Sequence, residues 1–183
     1  PVLLEQIDDY RQQFSDHLSR GHRFSDPMLN LLAGVDPIPS DPAERVEIVR
    51  ACRRAHAPIM IDAHPRFRDL FAMVMSLDGE HVDEGRLAYM NDRFFLDLLT
   101  WYHIAWLGYS LRQRPEIEAL LQGTTPFGPS ARFSLLEVMA DAFDHLLERY
   151  RALADQGQIE LSMTPYGHPI VPLLIDFEAM HCA

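Results

Sequence analysis

The stretch that decides the fold is Gly157-Gln158-Ile159-Glu160-Leu161-Ser162-Met163-Thr164-Pro165-Tyr166-Gly167-His168-Pro169-Ile170. Apolar and polar residues alternate from Ile159 to Met163, which is the pattern of a half-buried β-strand. Pro165 prevents that strand from extending further. Because successive side chains of a strand point to opposite faces, Glu160 points away from its two apolar neighbours. We therefore expect this carboxylate to face a barrel interior or a cleft, the alternative being a solvent-facing glutamate.

Two prolines enclose the loop that follows the predicted strand. Pro165 and Pro169 restrict the path of the backbone, and Gly167 between them permits a tight turn or a close approach to a ligand. A tyrosine and a histidine held in such a loop can bind sugar hydroxyls; the alternative is a structural turn in which His168 bonds to the backbone. The candidate substrate-binding residues are therefore Glu160, Tyr166 and His168.

The chain before Gly157 has the three- and four-residue apolar periodicity of helices. Ser25, Ser40 and Asn91 are predicted as N-caps, and Ser134 with Glu137 as a capping box. The predicted helices are 2–19, 26–33, 41–56, 66–77, 92–111, 115–121 and 134–156. The fold class is thus mainly α, with about six to eight helices and one or two short strands. Residues 1–156 form a predicted helical subdomain, and residues 157–183 contain the strand and the loop or helix after it.

Acidic residues and a histidine follow one another at helical spacing in the last predicted helix. Asp141 and His145 are four residues apart, as are Asp144 and Glu148, and such sets bind metals in helical bundles. They lie opposite the apolar face that contains Met139, however, so a solvated face is the better interpretation. No metal site is predicted.

Four aromatic residues, Trp101, Tyr102, Trp106 and Tyr109, lie close together in the 92–111 segment. Such side chains can stack on sugar rings, but at helical spacing they more often belong to a core. His56 and His64 lack a third ligand at a suitable spacing for a metal. No nucleotide-binding motif is present, and no cofactor is predicted.

The composition excludes several other classes of function. The formal net charge is −11, and there is no basic stripe, so nucleic acid is an unsuitable partner. No apolar run approaches the roughly 18–20 residues of a membrane span. With only two cysteines the chain is not a disulfide scaffold, and a cytoplasmic location is the simplest expectation. The chain begins at Pro1 and contains one good strand without a partner, which suggests a fragment of a larger protein.

The quoted stretch, continued through Pro172-Leu173-Leu174, resembles the second conserved region of the family 57 glycoside hydrolases. The family includes alpha-amylases, amylopullulanases, glucanotransferases, branching enzymes and alpha-galactosidases. Residues 1–7, 101–108 and 134–157 are similar to helices of the insertion that precedes this region. The resemblance implies an incomplete barrel of seven strand–helix units, with the remainder of the barrel as a partner.

The resemblance also implies a retaining mechanism with a glutamate nucleophile and an aspartate acid/base. Neither residue is matched by a position of this chain, so no catalytic residue is predicted here. Glu160 matches an active-site position of the second region, and His168 matches its histidine. We therefore expect a segment of a retaining hydrolase or glucanotransferase that contributes to an alpha-glucan or oligosaccharide site. The alternative is a self-standing helical binding or interaction module without catalysis.

Overall fold

The computed structural model describes residues 4–123 and 126–162. These residues contain ten α-helices and one π-helical turn, joined by loops. Among these residues there is no β-strand, only an isolated antiparallel bridge between Met75 and Val82. In chain order the helices are α1 (Leu4–Arg20), α2 (Pro27–Ala33), α3 (Pro42–Cys52), the π-helical turn (Ala57–Ile61), α4 (Pro65–Val74), α5 (Glu84–Leu87), α6 (Asp92–Trp106), α7 (Tyr109–Arg112), α8 (Pro115–Gln122), α9 (Pro129–Asp144) and α10 (Leu146–Asp155).

Helix α6 lies at the centre of the fold and packs against α2, α3, α4 and α9. It begins as predicted at Asn91, whose side chain accepts a hydrogen bond from the Phe94 N–H at 3.2 Å. Most of its residues are buried, including Phe95, Leu98 and Leu99, none of which is accessible to solvent. Full burial of each such side chain contributes about 1.5–3 kcal/mol, so α6 is the main hydrophobic support of the helices around it.

A second packing centre joins α1 to α9 through aromatic rings. Phe14 of α1 lies 5.6 Å from Phe143 of α9 and 5.1 Å from Phe24, measured between ring centroids. Tyr10 stacks on Phe143 at 5.4 Å. These contacts are continuous with the core around α6, so every described helix except α10 has side chains in or against one hydrophobic core.

Two predicted N-caps are displaced by one residue in the structure. Asp26, and not Ser25, caps α2, because its side chain accepts from the Met28 N–H at 2.7 Å. The cap of α3 is likewise Asp41 instead of Ser40. In both helices a proline occupies the first helical position, so the residue immediately before the proline must be the cap.

The structure has more helices than predicted because two predicted helices are divided and because α5 lies where no helix was predicted. The 92–111 segment turns at Leu107, which has an extended backbone and a buried side chain. The 134–156 segment breaks at His145, whose Nδ1 lies 3.0 Å from the Asp141 carbonyl oxygen. The backbone N–H of His145 is 3.4 Å from that same oxygen. The imidazole thus competes for the carbonyl that would continue the helix.

The predicted capping box of Ser134 and Glu137 is wrong, because both residues lie inside α9. This helix begins at Pro129. Its N-cap is Gly128, which has no side chain with which to cap the helix. Proline is suited to the first helical position, where a missing N–H costs nothing. The start of α9 therefore follows from proline geometry and not from a side-chain cap.

Candidate functional site

Glu160 lies on an irregular segment directly after α10, whose end is sharply defined. The helix ends at Asp155, and Gly157 follows with a left-handed φ of 68°. The Gly157 N–H donates to the Ala154 carbonyl at 2.9 Å, and the Gln158 N–H donates to the Leu153 carbonyl at 3.0 Å. This pair of bonds is a Schellman motif, which requires a residue that tolerates positive φ. The motif determines where the chain leaves the helix before Glu160.

The predicted strand at Ile159–Met163 is not present in the part of it that the structure describes. Residues 159–162 are irregular, and Met163 lies outside the described residues. A strand needs a neighbour to satisfy its backbone groups, and no strand is available for pairing among residues 4–123 and 126–162. The alternating pattern shows which side chains would share a face of a strand, but it does not show whether a neighbouring strand exists.

Glu160 is exposed to solvent, whereas Ile159 before it is partly buried. The other two predicted substrate-binding residues, Tyr166 and His168, lie outside the described residues. The structure therefore places one of the three predicted residues, as an accessible carboxylate at the end of α10.

A cavity with a volume of about 510 Å³ lies elsewhere, between α1, α6 and α9. We call it the aromatic cleft and define it by six of its lining residues. They are Tyr10, Asp26, Tyr102, His103, Trp106 and Phe143.

The cleft divides the aromatic set for which a core position was predicted. Trp101 is indeed in the core, 4% exposed, and its ring lies 5.4 Å from that of Phe127. Tyr102 is only partly buried, and Trp106 is 56% exposed. Tyr109, which begins α7 and does not line the cleft, is 75% exposed. The core prediction is thus right for Trp101 and wrong for Trp106 and Tyr109. Trp106 is the last residue of α6 and Tyr109 the first of α7, and both side chains remain exposed where α6 ends.

Two polar groups face the cleft among its aromatic rings. His103 is buried, and its Nδ1 lies 2.7 Å from the Leu99 carbonyl oxygen. Burial lowers the pKa of His103, which favours the neutral ring. Burial raises the pKa values of Tyr10 and Tyr102, and the negative charge of the partly buried Asp26 adds to both shifts, so the two hydroxyls stay protonated.

The acidic set on α9 and α10 has the solvated position that was predicted. Asp141, Asp144, His145 and Glu148 are all exposed. The Asp141 carboxylate pairs with Arg114 and with His145.

His64 and His56 have unlike surroundings. The ring of His64 lies 5.4 Å from that of Trp101, and burial lowers its pKa. His56 is exposed at the start of the π-helical turn. Among the described residues the one group with metal-like geometry is the exposed set Asp78, Glu80 and His81, which sequence reasoning did not select. Its signal was weak, since three polar residues in a turn are common without a metal.

Comparison with known protein families identifies the chain. The model of glycosyl hydrolase family 57 matches residues 42–181, which is most of the chain. The chain belongs to glycosyl hydrolase family 57. No curated protein and no solved structure matches it significantly.

The family 57 match begins at the first residue of α3 and includes all three predicted substrate-binding residues. It also includes Trp106 and His103 of the aromatic cleft. Tyr10 and Asp26 lie before the matched region, so one wall of the cleft comes from residues outside it. None of the helices in the described parts of this family 57 chain is both long enough and apolar enough to span a bilayer.

Proposed function

We propose that this chain is the helical insertion and second conserved region of a retaining glycoside hydrolase or glucanotransferase that acts on alpha-glucans. In this proposal residues 1–156 are the helical subdomain. Residues 157–183 form a strand only where the neighbouring strands of a barrel, supplied by other residues of a cytoplasmic enzyme, pair with them. Glu160, Tyr166 and His168 bind the glucan. The observation that carries the proposal is the family match over residues 42–181, which contains the whole Gly157–Leu174 motif.

The geometry around Glu160 supports a role in binding. Gly157 ends α10 with two backbone hydrogen bonds, so the chain leaves the helix at a defined point three residues before the carboxylate. The carboxylate is exposed and can accept hydrogen bonds from sugar hydroxyls.

Retaining hydrolysis needs two carboxyl groups about 5 Å apart, one as nucleophile and one as acid/base. The motif match assigns neither role to a residue of this chain, and Glu160 alone cannot fill both. We therefore assign Glu160 to orienting the sugar, and we expect the chain by itself to bind oligosaccharides without cleaving them.

The test is a titration of the isotope-labelled chain with maltoheptaose, followed by NMR. We expect the amide signals of residues 160–162 to shift, and the Glu160→Gln variant to bind about fivefold more weakly, since a charged hydrogen bond to a partly solvated ligand contributes about 1 kcal/mol. Glu148→Gln is the matched control, because Glu148 is also an exposed carboxylate but lies on α10, before the Gly157 turn. Unchanged amide signals at saturating sugar would refute a role of Glu160 in binding.

A self-standing helical binding module is the second candidate, and the continuous core of the described helices favours it. In that case Glu160 is structural. The same titration separates the two proposals. A folded chain whose 160–162 amide signals do not shift on addition of maltoheptaose supports the binding module.

A further inference from the structure

The aromatic cleft is built like a ligand site. Its volume of about 510 Å³ falls within the range of about 300–1,000 Å³ that is typical of small-molecule sites. Aromatic rings from three helices line it, and two polar side chains converge on it. Trp106 is 56% exposed, whereas Trp101, one turn and a half earlier on the same helix, is 4% exposed. An uncovered indole next to a cavity is a surface on which a flat apolar face can stack.

The rings are arranged at an angle to one another. The Tyr102 and Trp106 rings of α6 meet at 66°, with centroids 6.2 Å apart. Tyr10 of α1 and Phe143 of α9 stack at 16° and 5.4 Å. A ligand in the cleft thus meets aromatic surface from α6 on one side and from the α1–α9 pair on another.

Asp26 and His103 supply hydrogen-bond acceptors to the cleft, beside the hydroxyls of Tyr10 and Tyr102 and the indole N–H of Trp106. A backbone carbonyl can only accept, so the Nδ1 of His103 carries the proton that it shares with Leu99, and its Nε2 has a free lone pair. The Oδ1 of Asp26 accepts from the Met28 N–H, and none of the described residues donates to its Oδ2. The best ligand therefore combines an apolar face with groups that both donate and accept hydrogen bonds.

A pyranose ring has this combination, because its C–H groups form an apolar face and its hydroxyls donate from the rim. A hydrocarbon would bury the Oδ2 of Asp26 without a donor, which is costly. We propose that the aromatic cleft binds a sugar unit of an oligosaccharide, with one face of the ring on Trp106 and its hydroxyls donating to Asp26 and His103. The choice of sugar rests on the proposed function, but the site is formed by residues other than Glu160, Tyr166 and His168.

The test is a calorimetric titration with maltose in the Glu160→Gln background, which weakens the proposed site at Glu160 and leaves the residues of the cleft intact. Trp106→Ala removes the stacking surface and is expected to weaken binding at least about fivefold. Asp26→Asn keeps an N-cap for α2 but loses the charge, and a loss of about threefold or more is expected.

Each variant has a matched control. Tyr109→Ala removes an exposed aromatic ring outside the cleft, and Asp41→Asn changes the same type of aspartate–proline cap on α3. Both controls are expected to bind maltose as the background does. Thermal melting establishes that each variant folds, and if Trp106→Ala does not fold, Asp26→Asn decides.

The proposal is overturned if maltose gives no saturable heat, or if Trp106→Ala and Asp26→Asn bind it as tightly as their controls. Tighter binding of tetramethylammonium than of maltose would also overturn it, since it would assign the rings and Asp26 to a cation. These outcomes leave the proposed role of Glu160 unaffected, because that role is measured by the 160–162 amide signals.

Discussion

Asn30 shows how one buried side chain determines a turn. It is 2% exposed, and its side chain is the hydrogen-bond partner of both backbone groups of Phe24, the N–H and the carbonyl. The Phe24 N–H donates to Asn30 Oδ1 at 2.8 Å, and Asn30 Nδ2 donates to the Phe24 carbonyl at 2.9 Å. Both bonds are needed because a buried backbone group without a partner costs about 1–3 kcal/mol. Asn30 thus connects the start of α2 to the loop after α1.

Asn30→Asp keeps the shape of this side chain but removes its donor. We expect a loss of about 3 kcal/mol in the free energy of unfolding at pH 7, because the Phe24 carbonyl loses its partner and a charge is buried. Chemical denaturation measures the change. Asn91→Asp is the control, since aspartate is an equally good N-cap at the exposed start of α6, and its change should stay within about 0.5 kcal/mol. Equal stabilities of the two variants would contradict the assigned role of Asn30.

At the scale of the elements, Arg45 joins the start of α3 to the start of α6. Its guanidinium donates to the Pro39 carbonyl at 2.6 Å and to the Met90 carbonyl at 3.0 Å. It also pairs with Asp92 and lies 5.0 Å above the Phe95 ring. The side chain is 17% exposed, so water does not replace these bonds. The planar fork of arginine is required for such a set of acceptors.

Arg45→Lys retains the charge but cannot reach all of these acceptors. We expect it to reduce the free energy of unfolding by about 2 kcal/mol, which corresponds to the loss of one or two charge-assisted bonds. Arg50→Lys is the matched control on the same helix. Arg50 is 60% exposed and pairs only with Glu47 within α3, so its change should be below about 0.5 kcal/mol. Thermal unfolding of the two variants gives the comparison. The interpretation is wrong if Arg45→Lys has the same melting temperature as Arg50→Lys.

The helices could be predicted from the sequence where a local signal is strong. Asn91 and the apolar face after it correctly located the start of α6, and Gly157 correctly located the end of α10. The break at His145 could not be predicted, because it depends on a side chain that competes with the backbone for the Asp141 carbonyl. The end of α6 before Leu111 was also missed, since the burial of Leu107 is a tertiary effect.

At the scale of the whole molecule, periodicity correctly predicted the helical fold class. The alternating pattern at Ile159–Met163 did not correctly predict a strand in its described part. Pairing of a strand depends on a neighbour that may be distant in the chain, whereas a helix satisfies its own backbone. The same limit applies to the aromatic cleft. Trp106 was visible as an aromatic residue at helical spacing, but its exposure follows from how α1 and α9 pack beside α6. The family match confirms the resemblance on which the function of Glu160 was predicted.

The most direct test of the central claim is the release of reducing sugar from maltoheptaose by the purified 183-residue chain. We expect no release above the rate of the buffer, because neither catalytic carboxylate is assigned to this chain and Glu160 only orients the sugar. In Glu160→Gln, the 160–162 amide shifts should accompany this result but need about fivefold more sugar to reach half their full size. Steady release of reducing sugar that scales with the concentration of the chain would contradict the claim.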